Sequence, residues 1–272
     1  MSICRLCQCE GKLKESHIVP KMFYNVIKKK SITGIMRTCS DPNKSMQDGL
    51  KIPFLCEKCE ELFSKYETYF SKHIYTNTVK NDGEISFNSR DDNIAYFLLS
   101  IAWRNIKHIM ESNEINFTDN EKEKINTVIE EWRKYLYAEN MDEIRKIQQF
   151  IIPTKNLIFF NNLDWRTHDN VAMDFRAFDE EDTFEFAISF VQVPYFIFIT
   201  TVWGETNAMK QYRLGCKIKP RTSELPQNIT NLLYNNHYTQ FLEASNNMTE
   251  KQKKTIEDRV NSKLSKSDFS KQ

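Results

Sequence analysis

Four cysteines stand in two close pairs, Cys4-x2-Cys7 near the N-terminus and Cys56-x2-Cys59 downstream, with 48 residues between the pairs. Together they supply four thiolates, the number zinc takes in a closed tetrahedral structural site. The chain has seven cysteines, an odd number, and its opening stretch "MSICRLCQCEG" lacks the apolar run of a secretory signal. Disulfides are therefore not expected, and zinc ligation by Cys4, Cys7, Cys56 and Cys59 is. Cys9 is either a fifth, unused thiol or a competitor of Cys7, while Cys39 and Cys216 are isolated and read as small apolar fillers. Between the pairs lies Ser16-His17-Ile18. Four sulfurs satisfy zinc, so His17 is not needed as a structural ligand. It is either a hydrogen-bonded core histidine or a working imidazole, whose pKa near neutrality suits proton transfer.

Other chemistry-bearing patterns are absent. The sequence has no GxxxxGK[ST], GxSxG or HExxH, and its six glycines argue against a Gly-rich nucleotide loop. His73, His108, His168 and His237 are scattered and read as structural. Asp164, His168 and Asp169 form a loose cluster that reads as a hairpin loop. Charge is uneven: residues 1–80 carry 14 Lys and Arg against 8 Asp and Glu, and the remainder 24 against 29. The cysteine-bearing end is thus the basic end, which fits a polyanion partner. Lys28, Lys29 and Lys30 read either as a solvated helix end or as a phosphate-binding patch. Arg37, Lys12, Lys14 and Lys21 are candidates for backbone contacts that position nucleic acid without reading its sequence. Glu57, Glu61 and Glu67 read as surface charges, and Glu60 as an acid favoured at a helix start.

The elements that must position these residues can be sketched from periodicity. With 40% hydrophobic and 28% charged residues, a packed core is expected. Residues 1–75 form a Cys/His module. In it, 18–30 is a short helix after Pro20 and 31–50 is loop, with turn signals at Gly34, Asp41-Pro42 and Asp48-Gly49. A helix follows the second cysteine pair. Its Leu62, Tyr66 and Tyr69, with Phe63 and Phe70, make an apolar stripe read as core. Residues 76–90 read as a polar linker, and 91–272 as a helical plus antiparallel β domain of unknown role. Its helices are expected at 91–110, from an N-cap at Thr118 or Asp119, and at 141–151, stopped by Pro153. Strands are expected at 156–160, 171–178, 183–193, 195–203 and 212–220 as an antiparallel meander. Helix returns after Pro226, with a polar, frayed end. The most apolar stretch, 184–203, contains Glu185, Gln192 and Pro194 and is rich in β-branched and aromatic residues. It reads as two buried strands rather than a membrane span, so a soluble, cytoplasmic protein with no membrane partner is expected.

The arrangement C-x2-C…SHI-x-P…LC-x2-CE resembles the HNH (ββα-metal) endonuclease family over about residues 1–70. The resemblance implies an α+β protein in which a zinc-braced treble-clef/ββα-metal module is followed by helices and an antiparallel sheet. It implies His17 as the general base and Glu60, directly after the last cysteine, as a ligand to a catalytic Mg²⁺ or Mn²⁺. Ser16 falls where the family most often has a metal-binding Asp. The family's middle Asn has no clear counterpart: Lys51 and Asp48 occupy that neighbourhood, with Asn43 further back. The implied activity is metal-dependent hydrolysis of DNA, in a restriction or phage-defence setting. The alternative is a catalytically inactive zinc module that docks nucleic acid or a protein. Residues 91–272 carry no family resemblance.

Overall fold

A computed structural model describes residues 2–112, 117–158, 170–180 and 184–269. The chain divides into two units, Met1–Pro20 with Leu50–Leu225, and Lys21–Gly49 with Pro226–Gln272. In the first unit, β1 (Ser2–Ile3) and β2 (Glu10–Gly11) pair antiparallel around the first cysteine pair. Next comes β3 (Lys14–His17). The chain then leaves for the second unit through α1 (Lys21–Lys30) and returns in β4 (Lys51–Leu55). β3 and β4 are antiparallel, with His17 opposite Lys51. α2 (Glu57–Phe70) follows and runs through a π-helical turn, Ser71–Tyr75, into α3 (Thr76–Lys80).

The aromatic stripe of α2 is core, as expected. Phe63, Tyr66 and Phe70 are buried and meet α4 (Asp92–Ser112). Tyr66 stacks on Tyr96 at 3.7 Å between ring centroids, Phe70 on Phe97 at 4.2 Å, and Phe63 sits edge-on to Trp103 at 6.0 Å. Between these helices, the segment read as a linker holds α3 and β5 (Phe87–Asn88). Asp91 starts α4, its carboxylate accepting from the backbone N–H of Asn93 at 2.8 Å. Every residue from Ile94 to Ile106 is buried. A helix apolar on all sides must be covered on all sides, and α4 is, by α2 on one face and the main sheet on another.

α5 (Asp119–Tyr137) opens with the capping box that its sequence announces: Thr118 accepts from the Glu121 N–H, and the Glu121 carboxylate accepts from the Thr118 N–H. The next helix is shorter than periodicity suggests. α6 covers only Met141–Ile144, and Gln149–Pro153 is a strand, β6. The reason is tertiary: β6 is wholly buried and pairs with a neighbouring strand, which overrides local helical spacing. The sheet order is β6-β9-β8-β7, all antiparallel, with β7 (Ala172–Glu180), β8 (Phe184–Val193) and β9 (Phe196–Trp203) as the expected meander. The turn at Pro194-Tyr195 separates the two apolar strands, Tyr195 taking a positive φ of 74°. Among the described residues no helix is long and apolar enough to cross a membrane. Of the strand expected at 156–160, the described part holds one bridge, Leu157 to Ser223, and residues 159–160 lie outside the described residues. In 212–220 only Lys217–Ile218 is a strand, β10, paired with β5.

The second unit joins two distant pieces of chain. After Pro226 come α7 (Gln227–Asn231), a π-helical turn Leu232–Tyr238, α8 (Thr239–Asn246) and α9 (Glu250–Phe269). Asn43, in the loop after α1, clamps the start of α9: its Oδ1 accepts from the Thr249 N–H at 2.8 Å and its Nδ2 donates to the Asn247 carbonyl at 3.4 Å. Gly49 is required by packing, since a Cβ there would fall 1.9 Å from the Tyr24 ring. The helix expected after Pro226 continues in α9 to Phe269.

Candidate functional site

The first cysteine pair sits on a tight turn. The Gln8 N–H donates to the Cys4 carbonyl at 3.0 Å, Gln8 takes a positive φ of 61°, and Leu6 is fully buried beneath the turn. The second pair begins α2: Cys56 is its N-cap and Cys59 lies in its first turn. Unpaired N–H groups at a helix start favour negative charge, while burial pushes the thiol pKa of Cys56 and Cys59 up. The Sγ atoms of Cys4, Cys7, Cys56 and Cys59 all lie within 4.8 Å of one another. Sulfurs about 2.3 Å from a tetrahedral zinc stand about 3.8 Å apart, and Cys7 and Cys56 are separated by 3.8 Å. Burial would raise the Cys4 pKa, but N–H donors of Cys56, Cys7 and Leu6 outweigh it and bring it down to about 7. The Cys56 donor is 3.3 Å from the sulfur. The chemistry and spacing fit a metal such as zinc.

The cluster is tied to the helices behind it. Arg133 of α5 donates to the Leu6 carbonyl at 2.6 Å while pairing with Glu130 at 2.7 Å. Arg5 pairs with Glu111 at the end of α4 at 3.1 Å. Cys9 is exposed and outside the sulfur cluster, as are Cys39 and Cys216.

His17 ends β3. Its carbonyl accepts from Arg104 Nη1 at 2.9 Å, and the same guanidinium pairs through Nη2 with Glu67 Oε1 at 2.8 Å. Arg104 is 2% exposed and lies over the Phe63 ring at 5.2 Å. Burial raises the Glu67 pKa; Arg104 opposes the rise, and the charge of Glu60, one heptad back on α2, adds to it. Glu60 is therefore within electrostatic reach of Glu67, and its Oε1 is buried with no hydrogen-bond partner among the described residues. One guanidinium thus links the histidine strand to the acidic face of α2. Glu67, read from sequence as surface charge, belongs to this group. Arg104 was missed altogether; the available signal was a lone cation in the middle of an apolar helix.

The other candidates lie elsewhere. Ser16 is 1% exposed, its hydroxyl accepting from the Leu55 N–H at 3.2 Å within the strand pair. Lys14 pairs with Glu57 at 2.7 Å. Lys28, Lys29 and Lys30 end α1, and Lys28 donates to the Gln47 carbonyl at 2.9 Å. Lys21 and Asp48 face each other at 3.7 Å. Lys21, Lys28, Lys29, Lys30, Asp48 and Arg37 belong to the second unit, Ser16 and Lys14 to the first. The cluster Asp164, His168 and Asp169 lies outside the described residues. No family model matches the chain, and no curated protein or solved structure does so either.

Proposed function

We propose that the first unit is a metal-dependent nuclease of the HNH (ββα-metal) kind, hydrolysing phosphodiester bonds in DNA in a restriction or phage-defence role. The observation that carries the reading is the order of parts around four clustered thiols. A histidine ends one strand of an antiparallel pair, and a glutamate with a buried, unpartnered carboxylate oxygen opens the following helix. In this reading zinc braces the treble-clef turns and takes no part in the chemistry. His17 accepts the proton of the attacking water, the role its imidazole suits near neutral pH. Glu60 would hold Mg²⁺ or Mn²⁺, a hard cation that takes carboxylate oxygen; when bound, such an ion neutralises charge on the phosphate and leaving oxygen. Arg104 positions the His17 strand through the backbone and balances Glu67.

The test is plasmid nicking by wild type and His17→Ala in Mg²⁺ and Mn²⁺, with zinc content and melting curves on the same samples. Loss of a positioned base should cost about 10²–10⁴-fold in rate while zinc and melting temperature stay at wild type. A second reading, a zinc module that only docks nucleic acid or protein, is favoured by two side chains. Ser16 stands where the family most often has Asp, and Asn43 lies further back from the family's Asn position; both are engaged with backbone groups. It predicts no hydrolysis with any divalent ion and a destabilised His17→Ala.

A further inference from the structure

Beneath α4 the main sheet carries a row of polar side chains. Ser189 of β8 stands opposite Thr200 of β9, and Thr200 opposite Gln149 of β6. Directly paired residues of antiparallel strands project from the same face, so the three lie side by side across the sheet. That face is the one turned to α4. Asn105 of α4 donates through Nδ2 to the Ser189 hydroxyl at 2.9 Å, and Phe198, two residues before Thr200 on β9, meets Phe97 of α4 edge-on at 6.1 Å between ring centroids. All four polar residues are closed off from bulk solvent: Asn105 is 0%, Gln149 and Ser189 are 1% and Thr200 is 2% exposed. The next row on the same face is Ile151, Phe198 and Val191. With threonine and serine where that row has phenylalanine and valine, less bulk stands beneath α4 at the level of Asn105.

Three buried polar atoms of this group have no hydrogen-bond partner among the described residues: Asn105 Oδ1, Gln149 Oε1 and Gln149 Nε2. The orientation of the Asn105 amide is fixed by its donor side. Besides Ser189, Nδ2 donates to the Asp174 carbonyl at 2.9 Å and to the Phe190 carbonyl at 3.4 Å. Carbonyls only accept, so the nitrogen must face them and Oδ1 is the atom left over. Gln148, the chain neighbour of Gln149, shows the contrast. Its side chain lies on the other face of the strand, and its Oε1 accepts from the Thr201 hydroxyl at 3.2 Å and the Thr206 N–H at 3.0 Å. A buried amide with no bond at all bears its full desolvation cost. Buried polar groups of folded proteins escape that cost by bonding to protein or to ordered water.

We infer that this row is an internal hydration site, in which ordered water accepts from Gln149 Nε2 and donates to Gln149 Oε1 and Asn105 Oδ1. Water fits the unmet groups: they are a donor and two acceptors, all uncharged, and a buried water makes about three bonds of both kinds. Strands lie about 4.8 Å apart, so Gln149 and Ser189 are separated by about 10 Å with Thr200 midway, a span for more than one water. The site gives β6 a polar attachment to α4 in an otherwise apolar strand. It also fixes the register of β6 on β9, because a slip of one residue would turn Gln149 away from the water and onto the other face. It is independent of the role of His17.

The experiment is a crystal structure of the full chain with its ordered solvent resolved, together with NOE measurements in solution between water and the Thr200 methyl group. The expected result is a solvent peak within about 2.7–3.2 Å of the Gln149 amide and of a second polar atom of the row. The NOE should carry the sign of a long-lived, protein-bound water. Gln149→Leu, similar in size and apolar, should remove the peak and abolish the NOE while the amides of β8 and β9 keep their protection. Should that variant not fold, the wild-type crystal and NOE data decide by themselves. A Gln149 amide bonded directly to protein groups, with no solvent peak in the row, would overturn the site. So would density too large for water, which would mark a bound solute instead, or an NOE that persists in folded Gln149→Leu.

Discussion

At the scale of single residues, Arg104 holds more together than any catalytic candidate. It is buried, it bonds the His17 carbonyl, and it is paired with Glu67. Removing one partner of a buried ion pair leaves the other charge uncompensated, which costs about 3–5 kcal/mol. Arg104→Met should therefore destabilise the protein by that amount in urea unfolding, and adding Glu67→Gln should recover part of the loss. Arg104→Lys should not substitute, because an ammonium cannot reach two acceptors in the fixed fork of a guanidinium. A Lys variant as stable as wild type would show that charge alone matters here. The sequence offered His17 and Glu60 through their spacing from the cysteines, a local pattern. It did not offer Arg104, because that link joins residues 87 positions apart and periodicity treats a lone arginine on a core helix as an interruption.

At the scale of elements, what was legible depended on whether a local rule fixed the outcome. The Thr118 cap with Glu121, the break of 184–203 into β8 and β9, and the core stripe of α2 all follow from short-range chemistry, and all are present. β6 was read as helix because its burial and pairing come from β9, nearly fifty residues later in the chain. The second unit left no local mark for the same reason: its two pieces are separated in sequence by residues 50–225. One side chain makes that joint testable. Asn43 accepts from Thr249 and donates to Asn247 at the start of α9. Asn43→Ala removes both bonds and the cap-like support of α9, a loss of about 1 kcal/mol or more. Hydrogen exchange at the first turn of α9 should accelerate accordingly, while amides of β8 and β9 keep their protection. Unchanged exchange in α9 would mean that the helix is held by packing alone.

At the scale of the whole molecule, the cysteine cluster and the sheet belong to one unit. The first cysteine turn is bonded to α5 through Arg133 and Leu6, α2 packs on α4 through aromatic pairs, and α4 lies against β7, β8 and β9. Residues 1–20 and 50–75 of the module read from sequence thus belong to one compact unit with residues 91–225. If the four cysteines hold zinc, its ligation and apolar burial act on the same core, and removal of the metal should be felt far from the sulfurs. Cys56→Ser is expected to abolish zinc binding in metal analysis and to lower the melting temperature by on the order of 10 °C, several kcal/mol for a chain of this size. The melt of the first unit should remain a single transition. Indole fluorescence, with Trp103 on α4, Trp132 on α5 and Trp203 on β9, should then change at the same temperature as the far-UV signal. If the cysteine turns unfold first and the tryptophan signals follow only at the wild-type temperature, zinc stabilises a separable module, and the packing of α2 on α4 contributes little to holding it in place.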